Sequence, residues 1–333
     1  MNQQTITDAK PAGEVNMDAA FRQAAALEAG VARLVLGKRD QIRLALGAWI
    51  AGGHLLIEDV PGTGKTLLAR ALARCVNASF RRIQCTPDLL PSDVTGLTIY
   101  NQSSQEFEFM AGPVFSNVLL ADEINRATPR TQSSLLESME EHQVTIDGHT
   151  YRLPTPFFVV ATQNPVELEG TFPLPEAELD RFSVCLSMGY LEEEEELEML
   201  RSPRSAASAS ELEPILELES ILQLRKASRR VHVQDRVLQY LLRIVRETRR
   251  HPRIRLGASS RAALSLLQVG QAMALVTGRD FLDPILVRHL VGPVLAHRMV
   301  LERGSLWGDA QRMEAMALLE EVVDSVPSPD VEH

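Results

Sequence analysis

The chain has 333 residues, of which 45% are hydrophobic and 23% charged, proportions of an ordinary globular protein rather than a disordered or fibrous one. Single cores stop growing at about this length, so about two domains are expected. Lys and Arg number 34 against 44 Asp and Glu, a net charge of −10; such a surface repels polyanions, and nucleic acid or an anionic membrane would need a local basic patch. Cys75, Cys85 and Cys185 have no C-x-x-C spacing and cannot build a disulfide framework, which fits a reducing compartment. No uncharged apolar run approaches the roughly 18 residues that span a bilayer. The amino terminus has no apolar leader segment either, and the chain reads as soluble and cytoplasmic.

Residues 1–18 are polar and aperiodic and are expected to form a loose tail. Two helical patterns between Met17 and Ala51 flank the short segment Val35–Lys38. Strands and helices then alternate. The candidate strands are Leu55–Glu58, Phe80–Cys85, Asn117–Ala121, Phe157–Ala161 and Phe182–Leu186, mostly continuous apolar runs of the kind that a sheet covered on both faces requires. This is the α/β pattern of a parallel sheet with helices on both faces, whose ligands sit at the carboxyl ends of the strands. Two hairpins interrupt it. Asp147-Gly148 favours a type I′ turn between the alternating segments Val144–Ile146 and His149–Tyr151. Leu97–Tyr100 and Glu106–Met110 alternate likewise about the polar loop Asn101–Gln105, with Phe107 and Phe109 on one face. Near residue 189 the composition changes. The acidic run Glu192–Glu196 opens a helix, Ser202–Ser210 is rich in Ser and Ala, and helices follow over Asp235–Arg249, Ser259–Thr277 and Asp283–Arg303, the last with a break expected at Pro293. The expected organisation is a tail (1–18), an α/β core with two hairpin inserts (19–188), an all-helical domain (189–325) and a second tail (326–333).

Pro61-Gly62-Thr63-Gly64-Lys65-Thr66 follows an apolar strand and opens a helix whose first apolar residue is Leu67. In this context glycines let backbone N–H groups wrap phosphate oxygens at the positive end of a helix, the Lys reaches the β- and γ-phosphates, and the Thr binds Mg²⁺. The residues from Pro61 to Leu67 are therefore the candidate nucleotide-binding set. The full G-x-x-x-x-G-K-[ST] pattern asks for Gly at position 59, where this chain has Asp59. One strand-helix unit further on, the apolar run Val118–Ala121 ends in Asp122-Glu123. Taken alone these are solvated strand-end acids; at this distance from a phosphate loop they suit ATP hydrolysis, Asp122 holding Mg²⁺ and Glu123 orienting and deprotonating water. Phe157–Ala161 ends in Thr162-Gln163-Asn164. Asn164 is a candidate amide for the attacking water and γ-phosphate, although Asn-Pro also favours a plain turn.

These three strand ends occur in the order and spacing of the AAA+ ATPases, and the chain resembles the MoxR family among them. The resemblance is carried by Arg81–Asp93 (RRIQCTPDLLPSD), Ala121–Ala127 (ADEINRA), Ala161–Pro165 (ATQNP), Glu169–Phe182 (EGTFPLPEAELDRF) and Gly257–Ala262 (GASSRA), and covers about residues 20–305. It implies that the helical domain is a lid and that the two hairpins are the helix-2 and pre-sensor-1 inserts. It implies that Lys65 and Thr66 belong to Walker A, Asp122 and Glu123 to Walker B, and Asn164 to sensor 1. Arg181 matches the arginine finger given to a neighbouring subunit, Arg261 matches sensor 2, and Val35 and Gly37 match an adenine-contacting segment. A guanidinium stabilises charge on a phosphoryl group in flight. Read without the resemblance, Asp180 and Arg181 make a surface ion pair and Arg261 a solvated helix residue.

The implied activity is Mg²⁺-dependent ATP hydrolysis in a homo-oligomer, a hexameric ring, with a chaperone-like role in maturing a partner, often one with a von Willebrand factor A domain. Two rivals stand beside it. One is a nucleotide-gated scaffold with little turnover, favoured by Asp59; the other is a nucleic-acid-associated ring ATPase, which the acidic balance opposes. Arg243, Arg246 and Arg250 share a helix face opposite Leu238, Leu241, Leu242 and Val245, but no aromatic residues interleave with them. The eight His form no close pair with metal-ligand spacing.

Overall fold

A computed structural model of the chain describes residues 16–165, 170–201, 213–302 and 309–329. Residues 1–15 of the expected tail and the Ser/Ala-rich segment 202–210 lie outside the described residues. Helix α1 (Met17–Ala32) begins inside the stretch read as tail, because Asn16 caps it: its Oδ1 accepts the Ala19 N–H at 3.0 Å. Helix α2 (Arg39–Ala51) follows, and Gly52 ends it at φ +89°.

The core strands and helices then run in the order β1 (Leu55–Glu58), α3 (Lys65–Cys75), β2 (Phe80–Gln84), α4 (Pro91–Thr95), β3 (Gly96–Asn101), β4 (Glu106–Ala111), β5 (Val118–Asp122) and α5 (Pro129–Glu141). They continue with β6 (Gln143–Ile146), β7 (His149–Arg152), β8 (Phe158–Gln163), α6 (Glu176–Leu179) and β9 (Val184–Leu186). Strands β2-β5-β8-β1-β9 form one parallel sheet. Side chains alternate across it. Leu55 and Ile57, Val118 and Leu120, and Phe158 and Val160 face a large core that also holds α1, α2 and α3. Leu56, Leu119, Ala121, Val159 and Ala161 face a smaller core built with Leu135, Leu136 and Met139 of α5. Both faces are covered, which is why the strands read as unbroken apolar runs.

Both expected hairpins form, β3 with β4 and β6 with β7. Asp147 and Gly148 take φ +49° and +78°, as the type I′ turn requires. Phe109 stacks on Tyr151 with ring centroids 4.1 Å apart and so ties one hairpin to the other. Phe107, on the same strand face, is exposed against Tyr100.

The carboxyl-terminal region contains α7 (Glu193–Arg201), α8 (Glu219–Ser228), α9 (Asp235–Thr248), α10 (Ser260–Val276), α11 (Pro284–Leu295) and α12 (Asp309–Ser325). It is not purely helical: β10 (Ile254–Leu256) pairs antiparallel with β11 (Val300–Leu301). The helix expected over 283–303 runs through Pro293, ends at Leu295, tightens into a 3₁₀ turn at Ala296–Arg298 and then enters β11. A proline removes one N–H and crowds the preceding turn, and the helix survives it by only two residues. Arg243 and Arg246 on α9, and Arg250 just past its end, are exposed, while the inner face of α9 is Val237, Tyr240, Leu241, Ile244 and Val245. Leu242, expected on that face, is 47% exposed, since one residue turns a helix by about 100°. Helix α10 packs on both α2 and α11, and the large core runs without a break from α1 into the helices of the carboxyl-terminal region. Among the described residues no helix is long and apolar enough to cross a membrane.

His54, just before β1, is buried. Its Nδ1 accepts the Val159 N–H at 3.0 Å and its Nε2–H donates to the Met139 carbonyl at 3.2 Å. Burial holds its pKa down to about 3. The imidazole therefore stays neutral in the fold while the unfolded chain takes up a proton below about pH 6.5. Its contribution is complete above that value and is lost as the pH falls from 6.5 towards 3, about 2 kcal/mol by pH 5. Urea unfolding at pH 7 and pH 5 tests this: His54→Gln is expected to lose less stability across the interval than the wild type, by about that amount.

Candidate active site

Strand β1 ends at Glu58, and the chain turns through Asp59–Gly64 into α3. Gly62 and Gly64 take φ +88° and +90°, and a Cβ on either would meet nothing within 4 Å. The left-handed backbone, not lack of space, requires glycine there. Pro61 and Gly62 are exposed, and Thr63, Gly64, Lys65, Thr66 and Leu67 are half-buried at the mouth of the helix. Lys65 Nζ donates to the carbonyls of Asp59 (2.7 Å) and Val60 (2.8 Å). Burial lowers the pKa of this ammonium, and the carboxylates of Asp59, Asp122 and Glu123 pull it back up. Lys65 thus lies in the field of both strand-end acids.

The parallel pairing of β5 with β8 brings Thr162 beside those acids. Thr162 Oγ1 donates to Asp122 Oδ1 at 2.7 Å and accepts the Glu123 N–H at 2.8 Å. Glu123 itself sits at φ +57°, ψ +52°, a left-handed conformation that L side chains rarely adopt. The hydroxyl of Thr162 is one of the contacts that hold it there. On the other side, β2 is in register with β5, Gln84 opposite Asp122. Arg82 Nη2 reaches Asp122 Oδ2 at 2.5 Å and Gln84 Oε1 at 2.8 Å. Gln84 Nε2 and Arg126 Nη1 both donate to Glu123 Oε2, at 3.0 and 3.1 Å. Sequence reasoning gave no role to Thr162, Arg82, Gln84 or Arg126; the first three are cross-strand neighbours, and only the register reveals them. Asn164 is buried one residue beyond β8, where the Asp59 N–H donates to the Gln163 carbonyl at 3.2 Å. The chain thus brings Lys65, Asp122, Glu123 and Asn164 to one edge of the sheet.

The Thr66 hydroxyl and the Asp122 carboxylate are hard oxygen donors, the kind that Mg²⁺ takes. Among the described residues no cluster of three or more His, Cys, Asp or Glu is placed to hold a metal by itself. Val35 is buried, and Gly37 sits at φ +66° beside the Glu195 carboxylate of α7. Both line a groove of about 360 Å³ with Ala32 and Leu36. Asp59 is turned towards the chain after β9, with its oxygens on the Val60 N–H, the Ser187 hydroxyl and the Gly189 N–H.

The two candidate arginines lie elsewhere. Ser183 N–H donates to the carbonyl of His54, the residue before β1, so Arg181 belongs to the amino edge of the sheet. Its Nη1 donates to the Leu136 carbonyl at 2.6 Å and lies 3.4 Å from Glu140. Arg261 pairs with the same Glu140. The structure therefore joins Arg181 and Arg261 to each other through Glu140 and does not bring either to Lys65 of its own chain. The alternative ion pair of Asp180 with Arg181 does not form. Asp180 instead accepts from Ser259 Oγ at 3.0 Å and pairs at 3.3 Å with Arg298, a guanidinium that burial pulls down to about 10 while Asp180 raises it.

Residues 54–184 match the model of the ATPase family associated with various cellular activities (AAA), and residues 246–321 match an AAA lid domain. Chaperone MoxR1 of Mycobacterium tuberculosis (strain ATCC 25618 / H37Rv) is 39% identical over 310 residues, 90% of this chain and 81% of the relative. The chain belongs to the MoxR family of AAA+ ATPases. The uncharacterized YeaC of Bacillus subtilis (strain 168) is 48% identical, over 89% of this chain and 92% of its own. A crystal structure of a protein from Cytophaga hutchinsonii ATCC 33406, provisionally assigned as an ATPase, superposes with a TM-score of 0.85 at 37% identity, covering 94% of this chain and 97% of that one. A MoxR-family chain of this kind combines an AAA+ core and a lid, and its chaperone-named relative and the AAA family match support an ATPase of chaperone-like function.

Within this MoxR-family site, Thr162 is expected to orient both acids. Thr162→Val keeps the shape and removes the hydroxyl, leaving the Glu123 N–H and Asp122 Oδ1 without that partner, a loss of about 1–3 kcal/mol in urea unfolding. Turnover should fall while nucleotide affinity, measured by fluorescence titration, stays near the wild-type value.

Proposed function

We propose that the chain hydrolyses ATP with Mg²⁺ in a ring of identical subunits, a hexamer by family resemblance, and that the cycle remodels or matures a partner protein. The observation that carries this reading is the meeting of Lys65, the Asp122–Glu123 pair and Asn164 at the carboxyl edge of adjacent strands. Gly62, Thr63 and Gly64 offer backbone N–H groups to phosphate oxygens at the start of α3, and Lys65 exchanges its loop carbonyls for the β- and γ-phosphates. Thr66 and Asp122 would hold the magnesium ion, which when bound neutralises charge building on the phosphate oxygens. Glu123 takes the proton of the attacking water, and Asn164 fixes that water against the γ-phosphate. Val35 and Gly37 contact the adenine.

Strand direction supports the ring. Lys65 lies past the carboxyl end of β1 and Arg181 at its amino end, and the four residues between span about 13 Å. Arg181, so placed, suits the γ-phosphate held by a neighbour, where an arginine contributes about 10³–10⁵ in rate, and Arg261 shares its Glu140 partner. The client class this reading favours is a protein with a von Willebrand factor A domain, following the family resemblance. The scaffold alternative rested on a carboxylate facing the triphosphate, but Asp59 is engaged by Val60, Ser187 and Gly189. A nucleic-acid motor remains opposed by the net charge of −10.

Glu123→Gln is expected to lower steady-state turnover by about 10²–10⁴ while ATP binding persists; near-zero turnover in the wild type as well would favour the scaffold. Arg181→Ala and Lys65→Ala should each be inactive alone. Mixed, they should regain activity, because each supplies at a shared interface what the other lacks, and no recovery in confirmed mixed assemblies would count against the contribution in trans.

A further inference from the structure

Asp59 occupies the first position of the phosphate loop, where the motif expects a glycine, and it is only 6% exposed. Its Oδ1 accepts the Val60 N–H at 2.7 Å, and its Oδ2 accepts the Gly189 N–H at 2.7 Å and the Ser187 hydroxyl at 3.2 Å. Its backbone is committed as well: the N–H donates to Gln163, next to Asn164, and the carbonyl accepts from Lys65. The chain from Ser187 to Tyr190 links β9 to α7 and turns at Gly189, φ +64°. Buried Lys38 fastens the same link from the other side by donating to the Tyr190 carbonyl at 2.6 Å. One residue therefore joins the phosphate loop, the end of β8 and the link into the helical region. A glycine there could make only the backbone contacts.

We infer that Asp59 is a positioning residue that couples the phosphate loop to the Ser187–Tyr190 link, so that nucleotide occupancy is felt where the chain leaves the α/β core; this rests on the nucleotide-binding reading of the loop. Lys65 is the group that exchanges partners when a phosphate enters, and one of the partners it leaves is the Asp59 carbonyl. A carboxylate suits the task better than an amide, because its two oxygens accept from three donors and its bonds to N–H groups are charge-assisted. Coupling of this kind is reciprocal, so cutting the link changes nucleotide affinity by no more than the factor by which nucleotide affects the link.

Hydrogen exchange of the 184–192 region in the full chain, with and without ATPγS and Mg²⁺, tests the inference beside a fluorescence measurement of ATPγS affinity. In the wild type, ATPγS should change exchange at Gly189 about fivefold or more. In Asp59→Gly, exchange without nucleotide should rise about tenfold or more and the response to ATPγS should vanish, with affinity shifted by no more than about the coupling factor. Asp59→Asn keeps one acceptor and should keep a reduced response; it carries the test if the glycine variant does not fold. A wild-type-sized response in either variant, or a wild type that binds ATPγS without any change at Gly189, overturns the coupling. Failure of the folded wild type to bind ATPγS overturns the nucleotide-binding reading, and the coupling with it.

Discussion

The parallel ladder of β5, β8 and β1 is the constraint on which the site depends. Because the three strands point the same way and lie side by side, their carboxyl ends deliver Asp122 and Glu123, Thr162 and Asn164, and the phosphate loop to one edge. The same direction sends the chain before β9, with Arg181, to the opposite edge. The sheet thereby keeps Arg181 about a strand's length from the edge that carries Lys65, Asp122 and Glu123. The separation of Arg181 from those residues is thus a consequence of topology.

The two regions of the chain are fastened by more than a linker. The large core is continuous from α1 through α8–α12, and α10 packs on α2, which precedes the sheet in sequence. Arg298, with a side chain 1% exposed, enters the α/β region to meet Asp180 and the Phe182 carbonyl. The Asp180 carboxylate beside it offsets part of the cost of burying this charge, and Ser265 of α10 also accepts from its Nη2 at 3.2 Å. Arg181 itself is held by Leu136 and Glu140 of α5, while its neighbours Asp180 and Phe182 are held by Ser259 and Arg298, some 80–120 positions later in the chain. The helical region thus meets the α/β region at the amino end of β1 through Asp180 and Phe182, while Asp59 contacts the Ser187–Tyr190 link at the other end of β1.

Much of this was legible in the sequence because the responsible patterns are local. Apolar runs located all five strands of the main sheet within about two residues, Asp147-Gly148 located a hairpin turn, and Pro61–Thr66 located the loop-to-helix junction. What stayed hidden is cross-strand or cross-region. Arg82 and Gln84 read as ordinary residues of an edge strand until the register sets Gln84 beside Asp122. In the sequence Thr162 is simply part of a strand end. Glu140 is an unremarked acid at the end of α5, yet it joins two arginines that are 80 residues apart in the chain. The short β10–β11 pair escaped because segments of three and two residues carry too little periodicity to distinguish them from turns. Leu242 was misplaced by assigning a face from composition, when a single residue's rotation carries it to solvent.

Asp59 shows why a departure from a motif has to be read with its neighbours. In a glycine-rich phosphate loop a carboxylate looks like an electrostatic fault, since like charges at close range in a partly buried site repel strongly. The fault exists only if the side chain faces the ligand. Here the backbone at position 59 continues the β1–β8 pairing through its N–H to Gln163, so it is still strand-like and needs no glycine. The tight left-handed turns fall later, at Gly62 and Gly64, where glycine is retained. With the backbone demand removed, position 59 is free to carry a side chain, and its oxygens meet three donors that would otherwise have to find other partners. The first glycine of the motif is thus dispensable in this fold for a geometric reason, and the substitution changes what the loop is attached to rather than what it can hold.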